Sequence, residues 1–212
     1  MSKIISIAHQ KGGVGKSTIA FNLAVMLKAN AIDLDVQETM TYLNDFRGSH
    51  GLKKLNIRKL QNTKQLKDYL QKYNEKDPLI IDCGGFDSDM NRVAISLSDL
   101  VITPVSEERI ELMGLKKFQN IVEKISEIIG REIPAYVVFN KIDPRLKKTS
   151  ELEEFILKSG VFKLFNSKIR RRSEISITTP NGVAISEVDR KLKSSIAFLN
   201  LSKEIKNLLN IK

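Results

Sequence analysis

Along this chain, short apolar runs bounded by polar or turn-forming residues alternate with longer stretches in which apolar side chains recur at helical spacing. The runs Lys3–Ala8, Ala31–Leu34, Leu55–Leu60, Leu79–Cys83, Leu100–Pro104, Ala135–Phe139 and Lys163–Ile169 predict strands. The periodic stretches predict helices near 16–28, 64–74, 88–97, 107–129, 149–159 and 194–210. Such alternation points to an α/β fold, a mainly parallel twisted sheet with helices on both faces. In open sheets of this type the ligand lies beyond the carboxyl ends of the strands, and the polar motifs of this chain fall at those ends. No internal repeat, low-complexity tract or Pro/Gly/Ser linker divides the sequence, so residues 1–212 are expected to form one domain.

The first apolar run leads directly into Lys11-Gly12-Gly13-Val14-Gly15-Lys16-Ser17-Thr18. Glycines let successive backbone N–H groups turn inward, and the following helix directs its positive N-terminal end at the same point. The segment therefore reads as a phosphate cradle. In the pattern G-x-x-x-x-G-K-[ST], Gly15, Lys16 and Ser17 take the last three positions, with Lys16 reaching the β- and γ-phosphates and the Ser17 hydroxyl a Mg2+ ion. Gln10 stands where the first glycine would be, and a second lysine, Lys11, follows it. Two acidic elements also end strands. Alternation after the second strand sends Asp33 and Asp35 to one side, toward the loop, where one can support the Mg2+ shell and the other orient a water. Asp82 closes the run Leu79-Ile80-Ile81, the Walker B arrangement, and is expected to hold Mg2+ through water. Only sixteen residues separate Lys16 from Asp33, so the first helix or the second strand must be short.

A hydrophobic content of 42% over 212 residues suffices for a sizeable core. The single cysteine, Cys83, excludes an internal disulfide framework and is expected as a buried thiol in a reducing compartment. His9 and His50 are isolated, which leaves zinc without support. No apolar run approaches the roughly eighteen residues that span a bilayer, and a strand beginning at Lys3 leaves no secretory signal, so a cytoplasmic protein without stable membrane insertion is expected. The net charge of +10 favours polyanions, either nucleic acid or an anionic membrane surface. Residues 151–212 carry twelve Lys and Arg against seven Asp and Glu, including Arg170, Arg171 and Arg172 with Lys163, Lys168, Lys191 and Lys193 around them. Clustered basic side chains bind phosphates without reading sequence, which makes the three arginines DNA-binding candidates. The last helix carries Ile196, Leu199, Ile205, Leu208 and Leu209; this stripe reads as a membrane anchor or a core face, and a core face is the expectation.

Lys11–Thr18 resembles the K-G-G-x-G-K-[ST] loop of the ParA/MinD family of deviant Walker A P-loop ATPases. The resemblance continues through Asp33-Leu34-Asp35-Val36-Gln37, similar to D-x-D-P-Q, and through Gly84-Gly85-Phe86-Asp87-Ser88 with Arg92, similar to the switch region of small partition ATPases. It reaches Asn140-Lys141-Ile142-Asp143-Pro144 and the late G-x-x-x-x-E element, Gly182 to Glu187. What it implies is an ATP site formed by Lys11, Gly12, Gly13, Val14, Gly15, Lys16, Ser17 and Thr18, with Asn140 at the adenine edge and Mg2+ near Ser17, Asp33 and Asp82. Lys11, Lys16 and Asp35 would serve catalysis, Lys11 by crossing to the nucleotide of a second subunit and Asp35 by positioning water. Asp87, Ser88 and Arg92 would belong to the switch and dimer region, with an ordinary helix cap as the other reading of Ser88. The implied activity is that of a partition ATPase: an ATP-state homodimer on non-specific DNA, nucleoid-associated, whose hydrolysis is stimulated by a centromere-binding ParB-type protein. A MinD-like membrane-associated positioning ATPase is the alternative within the fold. A dethiobiotin synthetase-like ligase, a nitrogenase-type iron protein and a non-catalytic DNA-binding scaffold are more distant readings; the iron protein needs two cysteines per subunit.

Overall fold

The computed structural model describes residues 2–108, 110–145 and 150–211. Arg109 in the fifth predicted helix and Thr149 at the start of the sixth lie outside the described residues. The strands are β1 (Ile4–Ile7), β2 (Asn30–Asp33), β3 (Ile57–Arg58), β4 (Leu79–Asp82), β5 (Leu100–Val105), β6 (Ala135–Ile142) and β7 (Phe162–Arg170). They form one sheet in the order β3-β2-β4-β1-β5-β6-β7, and every pairing is parallel. The helices are α1 (Lys16–Leu27), α2 (Thr39–Ser49), α3 (Thr63–Lys72), α4 (Asp89–Ser96), α5 (Ile110–Ile129), α6 (Ser150–Lys158), α7 (Ser173–Thr178), α8 (Ile185–Val188) and α9 (Lys193–Leu209), with a 3-10 turn at Thr179–Asn181.

Alternation along the strands divides their side chains between two apolar layers. Ile4, Leu79, Ile81, Val101, Val137 and Phe139 pack against α3, α4, α5 and α6 through residues such as Leu66, Ile95, Phe118 and Ile156. Ile5, Ile7, Ile80, Ile102 and Val138 face the other way, onto Ile19 and Leu23 of α1 and Phe198, Leu201 and Ile205 of α9. Both faces are thus covered, which is the condition for an all-parallel sheet.

The short span between Lys16 and Asp33 is accommodated in the connection. Lys28 adopts the left-handed conformation (φ 53°) and returns its N–H to the last turn of α1, and Asn30 already begins β2. Three helices were not expected from periodicity: α2, α7 and α8. Each offers too few apolar positions to show a stripe; α2 buries only Met40 and Leu43 among its apolar side chains. β3 is two residues long where six were expected, an edge strand paired on one side only. Register places the polar ends together: Asp33 and Ile7 are both aligned with Asp82.

Candidate phosphate-loop site

From β1 the chain crosses the carboxyl end of the sheet between Ala8 and Gly15, and α1 begins at Lys16. Gly13 (φ 80°) and Gly15 (φ 93°) both need the left-handed region. Gly15 is doubly constrained, because a Cβ there would lie 2.3 Å from Asn140 Nδ2. That amide donates to Val14 O at 2.7 Å, and Lys141 Nζ donates to Gly13 O at 2.6 Å. The end of β6 therefore straps the loop from outside. Beneath it, His9 Nδ1 accepts the Lys11 N–H at 2.9 Å. Burial, with Lys16 and Lys11 nearby, pulls the His9 pKa down to about 3, so the imidazole is neutral.

Lys16 is buried, and its Nζ donates to Lys11 O at 3.1 Å. Burial lowers its pKa while Asp82 and Asp35 oppose the shift. Asp82 is fully buried, and neither carboxylate oxygen has a hydrogen-bond partner. Burial pushes its carboxyl up to about 8, against the pull of the nearby Ser17 hydroxyl and of Lys16. An orphaned carboxylate beside a phosphate loop fits Mg2+, which keeps several waters and takes few protein ligands. Among the described residues no group of three His, Cys, Asp or Glu side chains could cage a metal ion.

Asp33 is engaged differently. Its Oδ1 accepts the Asp35 N–H at 3.1 Å, and its Oδ2 accepts the Thr41 N–H at 2.8 Å and the Thr41 hydroxyl at 3.0 Å. It ties the Asp35 loop to the first turn of α2. Asp35 is half-buried, accepts the Gln37 N–H at 3.0 Å and acts on Lys16 through space. Gly84 and Gly85 close the remaining side: a Cβ on Gly85 would lie 3.4 Å from Lys16 Nζ, and one on Gly84 3.7 Å from the Asp35 Cα. Asp87 pairs with Arg92 through two hydrogen bonds, and Ser88 caps α4 by accepting the Asn91 N–H at 3.2 Å. Ser88 thus takes the plain capping role.

Lys11 points away from Lys16. Its Nζ donates to Glu111 Oε1 at 2.5 Å and lies 3.6 Å from Glu108; Glu111 is buried and also accepts from Ser106. The Glu111 hydrogen bond raises the Lys11 pKa although burial opposes it. No sequence signal marked Glu111. Nor did any mark Arg47, a buried side chain of α2 that donates to Lys53 O and Gly182 O and pairs with both oxygens of Glu187 at 2.6 Å. Gly182 (φ 69°) presses against this helix, where a Cβ would lie 2.3 Å from Arg47 N.

On the outer side of the loop lies a cavity of about 650 Å³ lined by Thr18, Thr39, Tyr42, Asn140, Arg171 and Pro180 among others, sized for a nucleoside. Asn140, expected to read the base edge, has one amide N–H committed to Val14 O, which leaves its oxygen and its second N–H. All three arginines border this cavity. Arg170 donates to Asp143 O and Pro144 O, Arg171 borders the nucleoside-sized cavity, and Arg170 and Arg172 border both this cavity and a groove of about 840 Å³ between β7 and α9. Of the stripe on α9, Ile205 and Leu209 are buried with Phe198 and Leu201, while Ile196 and Leu208 are exposed. No described helix is long and apolar enough to cross a membrane.

A parallel sheet whose central strand feeds a glycine-rich loop, a buried lysine and an aspartate from the neighbouring strand define a P-loop nucleotide-binding protein. Residues 5–183 match the CobQ/CobB/MinD/ParA nucleotide binding domain, and the chain belongs to that family. It is similar to the sporulation initiation inhibitor protein Soj of Bacillus subtilis, 23% identical over 252 residues that cover 97% of this chain and 98% of that protein. In structure it resembles the septum site-determining protein MinD complexed with Mg-ADP from Pyrococcus horikoshii, with a TM-score of 0.75 at 18% identity over 100% and 98% of the two chains. A plasmid partition protein from Borrelia burgdorferi superposes with a TM-score of 0.67 at 20% identity, over 97% and 98%.

Proposed function

We propose that this chain is a ParA-type partition ATPase, binding ATP and Mg2+ in the loop of residues 11–18 and closing as a homodimer in the ATP state. The observation that carries the reading is the pair of lysines in one loop, Lys16 buried beside Asp82, whose carboxylate oxygens have no hydrogen-bond partner, and Lys11 tied to Glu111 of α5. Lys16 would bind the β- and γ-phosphates, Ser17 and Asp82 the metal, with Asp33 in its wider environment. Asp35, on the loop that Asp33 anchors, would orient the attacking water. Lys11 would leave Glu111 to reach the nucleotide of a second subunit, and Asn140 would offer its oxygen to adenine. Bound ATP supplies the phosphoryl group and Mg2+ the charge that stabilises its transfer.

The downstream role is non-specific DNA binding in the ATP state, with Arg170, Arg171 and Arg172 contributing, and release when a ParB-type centromere-binding partner stimulates hydrolysis. The name of one similar protein, a plasmid partition protein, supports a DNA cargo. The core placement of Phe198, Leu201 and Ile205 favours DNA over a membrane anchored through α9. The test separates the two lysines. Lys16→Ala should abolish nucleotide binding by calorimetry, whereas Lys11→Ala should keep ADP binding and lose ATP-driven dimerisation in sedimentation. Normal dimerisation and hydrolysis by Lys11→Ala would overturn the assignment.

A further inference from the structure

A second basic stretch lies far from the arginine run in the sequence. Residues 53–76 hold eight Lys and Arg against two Asp and Glu, a surplus of six in a chain whose total is +10. The fold gathers this segment at one end of the sheet, on the short edge strand β3 and the helix α3 that follows it, opposite the β7 edge. Leu66 and Leu70 anchor α3 in the core, so Lys64, Lys67 and Lys72 are left in solvent. Two neighbours are neutralised locally, Lys54 by Asp45 at 2.8 Å and Lys59 by Glu38 at 2.6 Å. Lys53, Arg58, Lys64, Lys67 and Lys72 are all exposed, and no acidic group pairs with them among the described residues; Arg58 lies over the Tyr69 ring at 4.6 Å.

We propose that the β3–α3 edge is a docking surface for the phosphate backbone of duplex nucleic acid. Charge complementarity selects a polyanion. The absence of any large exposed apolar side chain between residues 43 and 85 selects nucleic acid over a lipid surface, because interfacial helices insert apolar side chains beside their basic ones. Five cations without an acidic partner, spread over the loop before β3, β3 itself and α3, carry no base-reading geometry, so binding is indifferent to sequence. The surface rests on the DNA-binding reading above and adds contacts to it, since the arginine run lines the nucleoside-sized cavity and Arg170 also holds Asp143 O and Pro144 O.

The test compares the full chain, loaded with ATP and Mg2+, with two triple variants of equal charge change. One is Lys64→Gln/Lys67→Gln/Lys72→Gln; the other is Lys117→Gln/Lys124→Gln/Lys158→Gln, exposed lysines of α5 and α6. Glutamine keeps helix propensity close to lysine, and melting curves verify folding. Affinity for two unrelated duplexes is measured across a salt series. Each phosphate contact contributes about 0.9 to the slope of log K against log salt, so the α3 variant should lose about 2.7 from that slope on both duplexes, while the control variant stays within one unit of the parent. Equal slopes for the two triple variants would overturn the surface while leaving DNA binding by the parent intact. A parent that binds neither duplex would overturn the DNA reading and the surface with it. Loss of binding to phosphatidylserine vesicles by the α3 variant, with its DNA slope unchanged, would overturn it in favour of a membrane.

Discussion

Glu187→Ala removes the carboxylate that pairs with Arg47, a side chain only 6% exposed. The guanidinium keeps its bonds to Lys53 O and Gly182 O and loses two charge-assisted ones, and Ala184 N–H loses its acceptor as well. Breaking one side of a buried pair costs about 3–5 kcal/mol, because a charge is stranded. Glu187 is itself 26% exposed, so water can reach the stranded guanidinium and the lower end, about 3 kcal/mol, is expected. At 2–4 °C per kcal/mol for a chain of this size, the melting temperature should fall by roughly 6–12 °C. The assay is urea unfolding of Glu187→Ala and the double replacement Arg47→Met/Glu187→Leu, which removes both charges and should recover more than half of the loss. The pH dependence has a fixed sign. Burial alone would raise the Glu187 pKa, but Arg47 and the Ala184 N–H hold it below its usual 4.5. Its contribution is therefore complete above that value and fades as pH falls through the folded pKa, so the gap between parent and variant should narrow as the solution is acidified below 4.5. A gap under about 1 kcal/mol at neutral pH, or one unchanged into acid, would refute the clasp.

Gly15→Ala should lower nucleotide affinity at least tenfold by calorimetry, through a strained φ and collision with Asn140, whereas Gly13→Ala, which meets open space, should cost only backbone strain of about 1 kcal/mol; equal losses would clear Asn140 of any part. Asp82→Asn should match the nucleotide-free parent near pH 3 and melt progressively above it as pH rises toward about 8, the gap staying constant beyond. The parent's Asp82 has a folded pKa of about 8 against 3.8, so its contribution is full below the lower value and lost as pH rises through the upper; parallel curves would contradict that burial. Asp35→Ala should bind ATP and dimerise yet hydrolyse slowly and stay on DNA longer; unchanged single-turnover hydrolysis would remove Asp35 from the chemistry.

The sheet was legible because strands covered on both faces read as continuous apolar runs: Leu79–Ile81, Leu100–Ile102 and Val137–Phe139 are all buried. α2 was not, since its helix is organised from outside by Asp33 accepting from Thr41, while its own sequence carries two β-branched threonines and Gly48. At the site, residue types announced themselves and partners did not. Asn140 stood out at the end of a strand, but its bond to Val14 spans 126 positions; Lys11 stood out in the loop, but Glu111 lies 100 residues away. Adjacency decides which charge shows in a string. Three consecutive arginines are conspicuous in a string, whereas the lysines of residues 53–76 are interleaved with apolar anchors and become neighbours only once β3 and α3 form.

The position of β1 also constrains how the molecule comes into being. The strand nearest the N-terminus sits in the middle of the sheet, between β4 and β5, so its hydrogen-bonding edges wait for residues 79–105 before either is filled. A chain emerging from the ribosome therefore exposes Ile4–Ile7 and the apolar face of α1 while some seventy further residues are added, and the strap from Asn140 arrives later still. Pairings of such long sequence separation are slow to close. The glycine loop should accordingly be among the last parts to become ordered in refolding, with nucleotide-binding competence lagging behind the recovery of helix, and the unpaired β1 should be the segment that molecular chaperones find exposed longest.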